Sequence, residues 1–263
     1  MNFPKIMGIV NVTPDSISDG GKYNTVEQAI SHALQLVDEG ADILDIGGES
    51  TRPGSESVML KDELERVIPV IQGIRAVNKT IPISIDTMKA EVAQQACNAG
   101  ATIINDVSAG RFDENMFTVA AQADVPVVLM HMLGKPKTMQ ENPTYGNVVQ
   151  DVYSFLEERV TTARNAGVTN VMIDVGIGFG KTLEHNLELL RNHAEFAKLN
   201  VPVVLGISRK TFIGALTGIE NAADRDTATA LLHALLLQAK ADIIRVHNVA
   251  LCNTLRTLTG ALN

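Results

Sequence analysis

The chain has 263 residues, 45% hydrophobic and 20% charged, with a formal net charge of −8. This is an ordinary composition for a soluble globular protein, and the length suffices to bury a core without staples. The negative balance disfavours a nucleic-acid surface but leaves room for a local basic cluster that holds a small anion. The two cysteines, Cys97 and Cys252, have no metal-ligand spacing and fit a reducing compartment. No run approaches the ~18 apolar residues of a membrane span, and the first residues lack a signal-peptide core, so the cytoplasm is the expected location.

Eight short apolar runs recur along the chain, at residues 6–10, 43–46, 83–86, 103–105, 127–131, 171–174, 203–207 and 243–246. Runs this short and this rich in Val and Ile read as parallel strands covered on both faces. Amphipathic stretches separate them. Residues 26–39 keep Ala29, Ile30, Ala33, Leu34 and Val37 on one helical face, and 62–77 and 148–166 read similarly. The strand entries repeat as well. Gly40-Ala41-Asp42, Gly100-Ala101-Thr102, the looser Gly167-Val168 and Ala239-Lys240-Ala241-Asp242 precede the even strands, while Pro82, Pro126 and Pro202 open strands three, five and seven. Eight β-α units in this order predict a closed (β/α)8 TIM barrel, one domain over residues 1–263, rather than an open doubly wound sheet.

In such barrels the chemistry gathers at the carboxyl ends of the strands. Those ends carry Asn11, Asp45 with Glu49 to Arg52, Asp86, Asn105-Asp106, His131, Asp174, Ser208-Arg209-Lys210, and Arg245 with His247. Alternation along a strand puts Ser84 with Asp86, and Ile103 with Asn105, on one face. The residues sort into two groups. Asp86, Asn105 and Asp174 suit a heterocycle whose edge presents paired N–H donors. Thr51, Arg52, Lys210, Arg245 and His247 are cationic or donor-rich and suit phosphate oxygens, with Asn11 offering a hard oxygen to Mg2+. Taken singly, a strand-end Asp caps a loop, an Arg makes an ion pair and a His sits in a core. A polar ring around the whole mouth goes beyond what a scaffold requires. The run Gly176-Ile177-Gly178-Phe179-Gly180-Lys181-Thr182 imitates a nucleotide loop, but Val175 stands where that loop needs glycine, so it reads as a tight turn at the barrel rim.

Two stretches are long and specific. Gly8-Ile9-Val10-Asn11-Val12-Thr13-Pro14-Asp15-Ser16 and Gly47-Gly48-Glu49-Ser50-Thr51-Arg52-Pro53-Gly54 resemble the signatures of dihydropteroate synthases. Ser84-Ile85-Asp86-Thr87, Ile104-Asn105-Asp106, Leu129-Met130-His131-Met132, Ser208-Arg209-Lys210 and Arg245-Val246-His247 follow in that family's order over essentially the whole chain. The resemblance implies a transferase of folate synthesis that condenses a dihydropterin diphosphate with 4-aminobenzoate, uses Mg2+, is inhibited by sulfonamide mimics and is commonly a homodimer. It assigns Asp86, Asp174 and Lys210 to the chemistry. It places Asp86, Asn105, Met130, Asp174, Phe179 and Lys210 around the pterin. Asn11, Thr51, Arg52 and Arg245-Val246-His247 would hold the diphosphate, with the metal on Asn11. Ile17, Pro53 and Thr211 would lie near 4-aminobenzoate, and loops 13–21 and 50–57 would close over the site. Three positions depart from the family: Ile17 where phenylalanine is usual, Val175 where proline is, and Asn248 where aspartate is. A pterin-binding methyltransferase acting on methyltetrahydrofolate, or a non-catalytic pterin-binding barrel, would share Asp86, Asn105 and Asp174. The methyltransferase would have no use for a diphosphate clamp.

Overall fold

A computed structural model describes residues 3–13, 26–52 and 54–262. Eight strands run β1 Lys5–Asn11, β2 Ile43–Gly47, β3 Ile83–Asp86, β4 Ile103–Asp106, β5 Val127–Met130, β6 Val171–Asp174, β7 Val203–Leu205 and β8 Ile243–Val246. All neighbours are parallel, and β8 pairs with β1 to close the barrel in chain order. Helices on the outside are α1 Val26–Asp38, α2 Leu60–Val77, α3 Ala90–Ala99, α4 Met116–Ala123, α5 Val148–Asn165, α6 Leu183–Arg191, α7 Thr211–Thr217, α8 Asp226–Leu235 and α9 Val249–Leu262. No helix among the described residues is long and apolar enough to cross a membrane.

Alternation builds two cores. Met7, Ile43, Ile103, Val128, Met172, Val204 and Ile243 point inward and plug the lower barrel. Their strand neighbours, such as Leu44, Ile83, Ile85, Ile104 and Leu129, join the layer between strands and helices. Two residues further along the same inward face come Asp45, Asn105, Met130, Asp174 and Arg245, and on β3 Asp86, two beyond Ser84, joins them. The strand pattern therefore raises a polar mouth directly above an apolar plug, and the plug denies that mouth water from below.

The repeated strand entries have a physical cause. Asp42 Oδ2 accepts the Ile6 amide at 2.7 Å, Thr102 Oγ1 accepts that of Ile83 at 3.2 Å, and Asp242 Oδ2 accepts that of Val203 at 2.8 Å. The polar residue before three of the even strands thus ties off the first free N–H of the strand before it. Gly40, Gly100 and Gly167 take the left-handed conformation expected of them, and Lys240 does so in the last copy. Several bounds differ by a residue or two from the sequence reading: β1 runs from Lys5 to Asn11, β2 reaches Gly47, β4 reaches Asp106, β5 stops at Met130, and β7 stops at Leu205, just before Gly206, where an added Cβ would stand 3.3 Å from Asp174 Oδ2.

Candidate active site

A cavity of about 400 Å3 opens at the carboxyl ends of the strands, a size that suits a small organic ligand. Asn11, Thr51, Arg52, Asp86, Phe179, Lys210, Thr211, Arg245 and His247 all line it. Nine residues drawn from six separate stretches of sequence are thereby brought together. Asn105 and Asp174 are buried at 6% exposure in the inward face below, and Met130 packs in a small cluster with Val107, Met132 and Met139, against which Phe179 leans. Val246 is a correction. It faces outward from β8, is fully buried in the layer beneath the helices and lies away from the cavity, so its side chain is unavailable to a diphosphate. Ile17 and Pro53 lie outside the described residues, as does most of the first loop.

Arg245 organises the floor. Its Nε donates to Asp45 Oδ2 at 2.5 Å and its Nη2 to Asp86 Oδ2 at 2.8 Å. Asp45, fully buried, also accepts Asn105 Nδ2 at 3.3 Å. Arg245 therefore belongs to the acidic group as well as to the cationic one. Two of its five N–H donors are engaged by these carboxylates, and these bonds hold the rest of the fork in place. Asp86 keeps Oδ1 buried and without a partner among the described residues. Burial pushes its carboxyl up to about 7; Arg245 opposes the rise, and Asp45 adds to it. An unpaired acceptor on the wall of a cavity is poised for a ligand that donates hydrogen bonds.

The other wall is built around two lysines. Lys210 donates to the Ile177 carbonyl and stands 4.7 Å from the centre of the Phe179 ring. Burial lowers its ammonium to about 8, against the pull of Asp174. Lys181, the lysine of the nucleotide-loop imitation, points inward instead of toward a phosphate. Its buried ammonium meets His131 Nδ1 at 2.9 Å, the Gly176 carbonyl at 2.9 Å and that of Phe179 at 3.1 Å. Burial lowers Lys181 well below the usual lysine range and, with the Lys181 charge beside it, His131 to about 2. The imidazole is thus neutral, with Nδ1 paired to the Lys181 nitrogen. Gly176, at φ +69°, packs so tightly that a Cβ would meet the His131 carbonyl oxygen at 1.8 Å.

His247 stands on the donor-rich side of its group. Burial first, then Arg209, Arg245 and Arg52, hold it well below the ordinary histidine range. It is therefore a neutral hydrogen-bonding group, with Nδ1 2.9 Å from Ser208 Oγ, and contributes no positive charge. Arg209 is spent on a two-pronged pair with Asp226 at 2.7 and 2.8 Å. Asp106 caps its own loop through Ser108 and Gly110. Asn248 accepts the Leu251 amide at 3.0 Å and caps α9 as an aspartate would.

Behind the second loop lies a group that sequence reasoning passed over. Glu63 on α2 is fully buried; it accepts from Thr87 Oγ1 at 2.6 Å and Lys89 Nζ at 2.5 Å, and the same Nζ binds Glu49. Burial raises the Glu63 carboxyl, with Lys89 and Thr87 opposing. Arg66 on α2 also holds the Gly48 carbonyl at 2.8 Å. Asp45 was visible as a strand-end residue in phase with Asp86 and could have been found by that spacing. Glu63 and Lys89 carried no such signal, since a charged helix residue normally faces water.

The family pattern for pterin binding enzymes matches residues 7–247. A dihydropteroate synthase of Streptococcus pyogenes is 49% identical over 247 residues, covering 93% of this chain and 90% of its own. Among solved structures, Xanthomonas albilineans dihydropteroate synthase with 4-aminobenzoic acid superposes with a TM-score of 0.92 at 46% identity, covering 99% of this chain and 93% of its own. The Xanthomonas enzyme in complex with 7,8-dihydropteroate gives 0.88 at 44% identity, with 99% and 94% covered.

Proposed function

Because the chain belongs to the pterin-binding enzymes, and among them to the dihydropteroate synthases, we propose that its barrel mouth joins (7,8-dihydropterin-6-yl)methyl diphosphate to 4-aminobenzoate, a step of folate synthesis that yields 7,8-dihydropteroate and diphosphate. The observation that carries this reading is the convergence of the unpartnered Asp86 oxygen, Lys210 and the phosphate-suited Asn11, Thr51, Arg52 and Arg245 on one cavity. The methyltransferase alternative leaves that second group without work.

In this reading Asp86, Asn105 and Asp174 take the donor edge of the pterin. Lys210 faces its ring oxygen and nitrogen side, and Met130 and Phe179 cover its faces. Asn11, Thr51, Arg52 and the free N–H groups of Arg245 hold the diphosphate, with His247 as a neutral partner. The methylene carbon–oxygen bond breaks and its electron pair leaves with the diphosphate. The amine of 4-aminobenzoate forms the new carbon–nitrogen bond and gives up a proton, which passes to the departing diphosphate or to water. Positive charge that develops on the pterin methylene is delocalised toward the ring, where Asp86 and Asp174 stabilise it. An aromatic amine needs no strong base, so the residues are arranged for charge and position more than for proton removal.

The donor set fits Mg2+, which when bound would neutralise the leaving diphosphate. Among the described residues no cluster of acidic or histidine side chains forms a cage, and Mg2+ is commonly held by substrate phosphates plus one or two protein oxygens. Asn11 at the end of β1 supplies such an oxygen. Thr211, with Ile17 and Pro53 from the two loops, is assigned to the 4-aminobenzoate side.

Two further statements belong to the same reading. The chain is a homodimer joined through the exposed leucines of α8 and α9, Leu231, Leu235, Leu258 and Leu262. It works in the cytoplasm, where Cys97 and Cys252 stay as the free thiols they are here. The reaction is tested by following diphosphate release from the pterin substrate in the presence and absence of 4-aminobenzoate. Release that requires the amine and yields dihydropteroate is expected. Release that ignores the amine, or none with Mg2+ present, overturns the assignment.

A further inference from the structure

Glu49 is an acid on the wall of a cavity assigned to an anion. Left unbalanced, its carboxylate would repel a diphosphate held by its neighbours Thr51 and Arg52. Lys89 stands at the start of α3, where the helix dipole disfavours a cation. The first N–H of that helix is capped from elsewhere, by Asp113 at 2.8 Å, so Lys89 does no capping. Its ammonium reaches across to Glu49, which follows β2 and leads into the second loop, and to buried Glu63 on α2. A buried carboxylate is a poor way to gain stability, because desolvation offsets the attraction. Neither the helix nor the core accounts for this arrangement; the loop after β2 does.

We propose that Lys89 is a positioning residue for the anion half of the cavity: seated on Glu63, it holds and neutralises Glu49, so that the second loop offers Thr51 and Arg52 to the diphosphate without an opposing charge. The inference rests on the reading of that half as the diphosphate subsite. Glu63, anchored by Thr87 Oγ1 at 2.6 Å, fixes where the ammonium sits. Lys89 itself remains 26% exposed, on the solvent side of the pair.

The test is titration calorimetry of Lys89→Met, Lys89→Arg and the double variant Lys89→Met/Glu49→Gln, with Mg2+-pyrophosphate and, separately, 6-hydroxymethylpterin. Lys89→Met is expected to weaken pyrophosphate by about tenfold while leaving pterin affinity unchanged. Lys89→Arg keeps the charge and should bind pyrophosphate nearly as the parent does. The double variant removes the acid together with its counter-charge and should regain most of the loss. Unchanged pyrophosphate binding in Lys89→Met, an equal loss for both ligands, or no recovery in the double variant each overturns the proposal. Should Lys89→Met fail to fold, the double variant decides alone: pyrophosphate affinity close to the parent upholds the proposal, and a tenfold loss overturns it. A parent protein that binds pterin but no pyrophosphate would overturn the subsite reading itself, and this inference with it.

Discussion

Asp45 and Arg245 stand 200 positions apart in the chain and meet at 2.5 Å across the barrel mouth, Oδ2 to Nε. Because Asp45 also takes Asn105 Nδ2, one buried carboxylate orients a residue of the pterin group and a residue of the diphosphate group together. Asp45→Asn keeps the shape but sets an NH2 group where two donors already point. The variant is expected to lose about 3 kcal/mol, the lower end for a broken buried pair because 23% of the Arg245 side chain stays exposed. Affinity for pterin and pyrophosphate should fall together. Urea unfolding and calorimetry check this, and a loss confined to one ligand would show that Asp45 serves one group alone.

Asp86 gives the site a pH dependence. Its folded value of about 7 lies above the ordinary 3.8, chiefly through burial, with Arg245 opposing and Asp45 adding to the rise. A raised folded value means that the native state binds the proton more tightly than the unfolded chain does. The group's stabilising contribution is therefore full below about pH 4 and lost as pH rises through 7. Relative to Asp86→Asn, the parent's urea midpoint should decline across that window; a relative rise would refute the sign. If the ionised form supports the reaction, kcat/KM falls on the acid side with a midpoint near 7. Asp45→Asn should move that midpoint down. Asp86→Asn should depress turnover more than it weakens pyrophosphate binding.

The eight valine and isoleucine runs and their entry motifs carried the barrel, because a closed parallel sheet repeats one local problem eight times. Periodicity also carried the depth of the mouth: Ile103 in the plug fixes Asn105 above it, and Ile43 fixes Asp45 in the same way. Identity of charge carried less. Arg245 reads as a phosphate ligand alone until its two carboxylates are seen, and sequence leaves open whether His247 is charged until its burial is seen. Both depend on contacts between strands distant in sequence. Glu63 and Lys89 were illegible for the same reason, since each looks like an ordinary surface residue of its own helix.

The proposed dimer face can be broken from one side. Leu231 and Leu235 are a helical turn apart on α8, exposed by 63% and 81%, and Leu258 and Leu262 repeat that spacing on α9, which packs against α8. Leu235→Glu adds a charge that is harmless in water and costly in an apolar interface. Light scattering after gel filtration should give twice the 28.2 kDa chain mass for the parent and the single mass for the variant. A monomeric parent, or a variant that stays paired, would rule out this face.

Lys181 offers the sharpest separation of loop from substrate. The residue is 3% exposed, and among the described residues no carboxylate lies within ion-pair distance of its nitrogen; its partners are His131 Nδ1 and the carbonyls of Gly176 and Phe179. Those carbonyls belong to the turn that carries Phe179 against Lys210. Lys181→Met keeps much of the buried side-chain volume and donates nothing, leaving at least two buried acceptors unpaired at about 1–3 kcal/mol each. The turn should loosen and Phe179 with it, so 6-hydroxymethylpterin binding is expected to weaken by about tenfold. The pyrophosphate half contacts none of these groups and should bind as before. Pterin affinity equal to the parent's would mean that the glycine turn holds Phe179 by itself, at Gly176, where only a hydrogen fits against the His131 carbonyl.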